Sequence, residues 1–436
     1  MGEVRVGLIG LGTIGIGVAR ILLGQQQLMA RRLGKQLRLV RACDLDITTD
    51  RGLDFTGVEL TTNVDDIIQA DDVDIVIELI GGYEPARSFV VTAIEHDKHV
   101  VTANKALIAK HGEELFSLAA AKGVAIGFEA AVGGGIPCLK ALREGLAANA
   151  IESVYGILNG TCNYILTKME NEGAAFTDVL KQAQELGYAE ADPTFDIEGI
   201  DTAHKLAILA AMAHGSRIRF DEVFTEGISK ITPGDIDSAR ELGYRIKLLG
   251  IAKPYDGKVE MRVHPTLVPL NAQIAQVSDS YNAVQISGDF VEHTMYFGRG
   301  AGERPTASAV VADIMDIARV LPDGIDVLAP PMGFVDSERH EMATLPMADV
   351  ECEYYLRLMV KDQPGVIAAV TSILADQRIS LEAVVQKERH ATQSVAVVML
   401  THETNEGNVQ AAISRITELA TVEDDVLILR KERFGA

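Results

Sequence analysis

The 436-residue chain has little of what would tie it to nucleic acid, a membrane or a disulfide framework. Basic charge is in short supply: 40 Lys and Arg face 62 Asp and Glu, a formal charge of −22. That balance argues against a polyanion or an anionic membrane surface as partner. Cysteine is scarce. Cys43, Cys138, Cys162 and Cys352 are scattered, with no CxxC and no His/Cys pair at metal-ligand spacing. Neither a disulfide scaffold nor a zinc site follows, and a reducing cytoplasm is the compartment that fits. No apolar run reaches the ~18–20 residues of a spanning helix. The chain enters a strand at once, which leaves no signal peptide to expect. No internal repeat of roughly 20–50 residues is present. What remains, 47% hydrophobic and 23% charged, is the composition of an ordinary globular protein with room for roughly two or three domains.

Residues 4–9 (VRVGLI) read as a buried strand, followed directly by GLGTIG and a helix through Leu23. Gly10, Gly12 and Gly15 have the G-x-G-x-x-G spacing, with Leu11, Thr13 and Ile14 between them. The first glycine permits the turn, the second lets a pyrophosphate approach, and the third packs helix on strand, with the helix N-terminus aimed at phosphate. The motif is specific here because a strand precedes it and a helix follows. A polar Gln- and Arg-rich segment (24–36) leads to a second strand, LRLVRA, ending at Cys43 and Asp44. Asp44 at that end would bind the adenosine ribose and favour NAD. Arg41 and Arg51 are near enough in sequence to take a 2′-phosphate, so NAD and NADP both stay open.

Strand and helix signals then alternate: 73–80, a helix begun by Pro85, 98–103, a helix over 106–121, and 124–130. That alternation predicts an α/β fold with a doubly wound, largely parallel sheet, its ligands beyond the carboxyl ends of the strands. Gly81-Gly82 and Asn104-Lys105 lie at such ends, where Lys105 can meet phosphate, nicotinamide or a substrate anion, or simply start a helix. AVGGGIP (131–137) follows Glu129. Three glycines with one carboxylate nearby suit a hard cation, and equally a hinge.

The stretch AEADPTFDIEGIDTAHKLAILAAMA (189–213) organises the chemistry. Asp192, Asp196, Glu198 and Asp201 crowd its entrance, and from Ala203 on only His204 and Lys205 interrupt an apolar helix. A helix apolar all round is buried. Asp201 and Lys205 share a face one turn apart, which is either an ordinary ion pair or the floor of a site with a positioned lysine. Strands are expected at 259–268, 282–291 and 292–298, and FGRGAGERPTASAVVADIMDIARV (297–320) returns a glycine turn and a long helix capped by Pro305-Thr306. The Pro- and Met-rich segment 321–349 reads as a linker. Beyond 350, the order strand, helix 366–377, strand 379–388, strand, helix 406–419, strand predicts a ferredoxin-like βαββαβ unit with a sensing or dimerising role.

Together these motifs identify a resemblance to homoserine dehydrogenases of the long bacterial type with a C-terminal ACT domain. GLGTIG, TANKAL (102–107), EAAVGGGIP (129–137), GILNGTCNYIL (156–166), DIEGIDTAHKL (196–206) and FGRGAGERPTASAV (297–310) stand in the family's order and spacing, and KDQPGVIAAVTSIL (361–374) resembles the ACT signature. The resemblance implies a Rossmann domain at 1–135 with helix 305–320 packed back on it, an α+β catalytic and dimerisation domain with an open mixed sheet at 136–320, a linker at 321–349 and an ACT domain at 350–436. It implies reversible NAD(P)H-dependent reduction of L-aspartate 4-semialdehyde to L-homoserine, in threonine, methionine and isoleucine biosynthesis. Lys205 matches the lysine that exchanges a proton with the substrate oxygen, and Lys105 the lysine near nicotinamide and substrate. Asp201, Asp196 and Glu190 match substrate-binding positions, and Gly302 a glycine turn against the coenzyme. Glu129, Val132, Gly134 and Ile136 match a monovalent-cation site for Na or K. An amino acid, by resemblance L-threonine, is expected near Asp362, Gly365 and Val366, on a homodimer or homotetramer. Two other readings compete. A phosphorylating semialdehyde dehydrogenase would need Cys138 or Cys162 as nucleophile. A coenzyme-binding sensor without turnover would have no need for a proton carrier at Lys205.

Overall fold

The computed structural model describes residues 2–321, 325, 328–386 and 394–434. Pro322 of the expected linker and residues 387–388 of the expected strand 379–388 lie outside the described residues. The chain forms two compact units. One contains Met1–Leu158, His204–Glu222 and Asn282–Met342, the other Asn159–Ala203, Val223–Tyr281 and Ala343–Ala436.

The first unit is built on β1 (Glu3–Ile9), β2 (Gln36–Cys43), β3 (Glu59–Thr61), β4 (Ile75–Glu78), β5 (His99–Thr102) and β6 (Ile126–Gly127). Their order is β3-β2-β1-β4-β5-β6, and every pairing is parallel. This is the doubly wound dinucleotide-binding sheet, whose order reverses between β1 and β4 and opens a crevice there. Val6, Leu8, Ile75, Ile77 and Val101 are fully enclosed, as runs of apolar residues in a sheet covered on both faces must be. Ala307, Val310, Ile314 and Ala318 of the helix Glu303–Val320 join the same core as Val18, Ala19 and Leu22 of the helix Thr13–Gly24.

Several elements differ from the sequence reading. The polar segment 24–36 contains the helix Gln26–Leu33, which buries only Met29. The expected strand 124–130 shortens to β6 and passes into a 3₁₀ turn, Glu129–Ala131. The sequence also suggests a helix over 137–149, but the structure has a short turn, Cys138–Lys140, followed by a π-turn, Ala141–Gly145. The last long helix begins at Glu303 with Gly302 as its N-cap, so Pro305 lies inside the first turn rather than at the cap. Its missing N–H costs nothing there, because first-turn amides have no helical partner.

The remaining strands are β7 (Ile151–Ile157), β8 (Phe224–Thr225), β9 (Tyr244–Tyr255), β10 (Lys258–Pro269), β11 (Tyr281–Gly288), β12 (Glu292–Arg299), β13 (Glu351–Lys361), β14 (Leu381–Gln386), β15 (Ser394–Thr401), β16 (Thr404–Asn405) and β17 (Leu427–Lys431). In the first unit β12, β11 and β7 lie side by side. In the second unit the order is β9-β10-β17-β13-β15-β14, with β8 on β10 and β16 on β13. The C-terminal portion is the expected βαββαβ unit, with strand order β17-β13-β15-β14. Its sheet does not end there. β17 also pairs in parallel with β10, Thr266 with Arg430 and Leu267 with Lys431.

The sequence reading passes over β9, which forms a long hairpin with β10. Its signal is the Asp256-Gly257 pair at φ 45° and 74°, the two-residue turn that suits a hairpin. Residues 328–349 are anchored at two places. Arg339 is buried and donates to Ser216 O at 2.9 Å and to Glu113, while Leu345 N–H donates to Val259 O at 2.8 Å.

Candidate active site

In the first unit the glycine loop has the geometry a pyrophosphate requires. Gly10 sits at φ 99°, and a Cβ there would come 2.9 Å from Leu79 O. A Cβ on Gly15 would come 1.9 Å from Gly10 O, so helix and strand approach as closely as backbone allows. Gly12 faces open space, with no atom within 4 Å of where its Cβ would stand. The loop is therefore closed on its protein side and open on the side a dinucleotide would occupy, with the first turn of helix Thr13–Gly24 behind it. The residues fit the coenzyme.

Asp44 directly follows the second strand, and its carboxylate accepts from Leu11 N–H at 2.5 Å. Arg51 folds onto the same corner, Nε donating to Leu11 O at 3.1 Å and Nη2 lying 3.6 Å from Asp44 Oδ1. Arg41 turns elsewhere and pairs with Glu59 and Asp72. The candidate 2′-phosphate ligand among the two arginines is thus Arg51.

Beyond the ends of β4 and β5 the structure brings forward a residue the sequence reading missed. Glu78 is fully buried, accepts from Ile80 N–H at 2.8 Å and from Gly81 N–H at 3.2 Å, and takes the Thr102 hydroxyl at 2.7 Å. It ties the Gly81-Gly82 turn to β5. Asn104 completes the tie by donating to Gly82 O at 2.6 Å while capping the helix Lys105–Lys122 through Leu107 N–H. Lys105 is the first residue of that helix. An acidic residue closing an otherwise apolar strand was the available signal for Glu78.

Lys205 is buried, and its ammonium donates to Leu158 O at 2.7 Å. Its neighbour His204 is also buried, bonded to the Tyr83 hydroxyl at 3.1 Å and stacked on Phe220 at 3.9 Å between ring centroids. His204 and Lys205 are therefore both held by named partners.

The Gly133–Gly135 loop packs against the glycine turn before helix Glu303–Val320. Gly135 N–H donates to Arg299 O at 3.1 Å, and a Cβ on Gly134 would come 2.4 Å from Gly300 O. Glu129 is buried beside it, its two carboxyl oxygens accepting from Leu139 N–H at 3.0 Å and Lys140 N–H at 2.7 Å. Burial, then the charge of Asp313, pushes its carboxyl up to about 8. Burial likewise lifts Asp313 to about 7. The Val132 carbonyl takes the Cys138 thiol at 3.5 Å and that of Ile136 takes Cys138 N–H at 2.7 Å. Each of these oxygens keeps a second lone pair, and carboxyl and carbonyl oxygens are the donor type a hard cation prefers. Gly302, at φ 114°, caps the facing helix.

In the second unit Asp201 is buried and Asp196 half-buried. Both are bound by one amide. Asn159 Nδ2 donates to Asp196 at 2.7 Å and to Asp201 at 2.9 Å, while its Oδ1 accepts from Cys162 N–H as the N-cap of helix Gly160–Glu172. In the sequence Asn159 stands only as a small polar residue in an otherwise apolar stretch. Glu190 is exposed on the loop before Asp196, where its backbone carbonyl accepts from Gln184. Cys162 donates to Asp196 O at 3.2 Å. Burial pushes the Cys138 thiol far above its ordinary range, and the Glu129 charge adds to this, so it is no nucleophile at neutral pH. At the start of helix Val366–Asp376, Gly365 is the N-cap at φ 93°, Val366 is buried, and Asp362 accepts from Gln386 at 3.5 Å.

Residues 10–129 match the family described as the NAD binding domain of homoserine dehydrogenase, 137–315 the one described as homoserine dehydrogenase, and 354–421 the ACT domain. A homoserine dehydrogenase of Neisseria gonorrhoeae is 46% identical over 432 residues, which is 99% of either chain. The crystal structure of a homoserine dehydrogenase from Thiobacillus denitrificans matches with a TM-score of 0.94 at 51% identity, over 100% of this chain and 99% of that one. A hyperthermophilic archaeal homoserine dehydrogenase in complex with NADPH matches at 25% identity and a TM-score of 0.61, over 73% of this chain and 99% of its own.

Proposed function

The chain belongs to the homoserine dehydrogenase family, and on that premise we propose how its own side chains divide the work. The activity is that of an NAD(P)-dependent oxidoreductase acting on CH–OH, between L-homoserine and L-aspartate 4-semialdehyde. It belongs to amino-acid biosynthesis. The coenzyme, when bound, supplies or accepts the hydride.

Lys205 holds the proton at the substrate oxygen. It gives that proton to the alkoxide formed on reduction and takes it back on oxidation. The observation that carries this is the buried ammonium held 2.7 Å from Leu158 O, one helical turn after Asp201. Desolvation favours the neutral amine and neighbouring carboxylates the charged one, so such a lysine can be poised for transfer. Asp196, Asp201 and Glu190 hold the ammonium end of the amino acid. Lys105 starts the helix after β5, where it would meet the nicotinamide and the reacting carbon of a bound coenzyme and substrate. Gly10 to Gly15 cradle the pyrophosphate, Asp44 the ribose, and Gly302 faces the coenzyme.

Glu129 with the carbonyls of Val132, Gly134 and Ile136 takes a monovalent cation, Na or K, whose charge would draw the buried Glu129 carboxyl back toward its ionised form. An amino acid, L-threonine, binds at Asp362, Gly365 and Val366 and inhibits. The chain works as a homodimer or homotetramer, for which the exposed Phe297 of the edge strand β12 and Phe290 in the turn before it supply apolar surface. The four buried cysteines, none of them in a disulfide among the described residues, suit the cytoplasm.

The test is NADH and NADPH oxidation at 340 nm with aspartate semialdehyde, wild type beside Lys205→Ala. Turnover that collapses in the variant supports the assignment. A folded, coenzyme-binding wild type with no turnover would instead favour the sensor.

A further inference from the structure

Asp196 and Asp201 are separated by the turn Ile197–Gly199, and that turn is clamped on two sides. Ile228 N–H donates to Ile197 O at 2.9 Å. Gly227 lies so close that a Cβ there would stand 2.4 Å from Ile197 O and 2.6 Å from Glu198 Cα. On the other side, a Cβ on Gly199 would come 3.0 Å from Val263 Cγ1 and 3.1 Å from Thr225 Cγ2. Residues 224–228 therefore set where the turn sits, and with it the two carboxylates at its ends.

Those residues are themselves held by the end of the chain. β8 pairs with β10, and Glu226 N–H donates to Val263 O at 2.8 Å. The Glu226 carboxylate is bound by both Nη groups of Arg430, Nη2 to Oε1 at 3.2 Å. Arg430 is fully buried in β17, its guanidinium 5.3 Å from the centre of the Phe224 ring. Nε and Nη2 also donate to Glu406 at 3.0 and 2.6 Å. A guanidinium bound on two edges and stacked on a ring cannot re-aim, because its donors form a rigid planar fork.

We propose that Arg430 and Glu226 are a positioning pair for the substrate site. Arg430, in the last strand of the C-terminal unit, holds Glu226, and Glu226 holds residues 224–228 against the turn that spaces Asp196 and Asp201. This rests on the substrate-binding role given above to those carboxylates. It makes the final strand part of the active-site scaffold rather than of a detachable sensor. It also gives a regulatory ligand a short route. β13 ends at Lys361, directly before Asp362, and its other end pairs Tyr354 with Arg430.

Glu226 is the residue to change. Its side chain is 39% exposed, and without it Arg430 keeps Glu406, whereas removing Arg430 would strand the buried Glu406. With the full chain and saturating coenzyme, Glu226→Ala is expected to raise the KM for homoserine about ten-fold, with the coenzyme KM and the thermal midpoint near wild type. Glu226→Gln, which keeps an acceptor for Arg430, recovers most of the loss. In Glu226→Ala with Asp196→Asn, the rise in KM is smaller than the product of the two single effects, because the turn that Glu226 positions carries Asp196 as well as Asp201. A wild-type homoserine KM in Glu226→Ala, beside a raised one in Asp196→Asn, overturns the positioning pair alone. A wild-type KM in Asp196→Asn overturns the substrate-site reading and the pair with it. Equal rises in the homoserine and coenzyme KM values would mean a general structural loss and would also refute it.

Discussion

The ammonium of Lys205 donates to the carbonyl of Leu158 at 2.7 Å, and the residue after Leu158 is Asn159, whose amide bridges Asp196 and Asp201. Two consecutive residues thus hold the proposed proton carrier and the proposed substrate carboxylates. If Lys205 moves the proton, Lys205→Ala loses about 10²–10⁴-fold in kcat, the range for a positioned general acid. NAD(P) binding measured by fluorescence quenching stays as in wild type. Unchanged turnover would remove Lys205 from the mechanism.

Asn159 has two separable jobs. Asn159→Ala loses the N-cap of helix Gly160–Glu172, at a cost of about 0.5–2 kcal/mol, and leaves Asp196 and Asp201 facing one another without a shared donor. Asn159→Asp keeps a capping oxygen but adds a third negative charge. Both variants are expected to raise the homoserine KM, while urea melts show the larger stability loss only in Asn159→Ala. Normal KM values in both would show that the bridge is not needed for substrate binding.

How much of this was visible in the sequence follows from where the determining interactions lie. The glycine loop, Asp44, the parallel sheet and the βαββαβ unit rest on local spacing and hydrophobic periodicity, and those survive in one dimension. Lys205 and Asp201 were legible because one helix face carries both. Glu78, Asn159 and the Arg430–Glu226 contact were not. Glu78 meets Thr102 24 residues away, and Arg430 meets Glu226 at a separation of 204. Nothing in the composition around either partner announces the other. The helix at 303 begins two residues before its proline because the chain turn at Gly302, not the ring of Pro305, starts it.

In the proposed coenzyme site, the choice between NAD and NADP would turn on the corner shared by Asp44 and Arg51. On that proposal Asp44 would accept the ribose hydroxyls of NAD and repel a 2′-phosphate, and Arg51 would attract one. Asp44→Ala is expected to shift the ratio of kcat/KM toward NADPH by about ten-fold, and Arg51→Ala to shift it toward NADH by a similar factor. Ratios that do not move would place the adenosine ribose elsewhere.

The glycine loop makes a prediction in which fold and function part. Gly12→Ala meets no atom within 4 Å, so the variant is expected to melt as wild type yet bind NAD(P)H far more weakly, because its methyl occupies the pyrophosphate path. Gly15→Ala would place its methyl 1.9 Å from Gly10 O and is expected to lower stability as well. Tight coenzyme binding by Gly12→Ala would contradict the placement of the dinucleotide.

Lys247 gives the stability curve a specific pH dependence. It is buried to 1% exposure, and Nζ donates to Asn163 Oδ1 at 3.0 Å and to Val277 O at 2.6 Å, two acceptors that a neutral amine with two hydrogens can satisfy. Burial, reinforced by the Arg245 charge, lowers its pKa from 10.5 to about 7. Between those values the unfolded chain holds a proton the folded chain does not, so stability rises with pH across that window. The contribution is complete above 10.5 and is lost as pH falls through 7. The slope approaches about 1.4 kcal/mol per pH unit for one proton. Lys247→Met removes the titrating group while filling similar volume. Urea melts of both proteins from about pH 7 to 10 should then show wild type gaining steadily on the variant, with every other titration cancelling in the difference. Parallel curves would mean that Lys247 stays charged in the fold, its burial offset by carboxylates rather than by deprotonation.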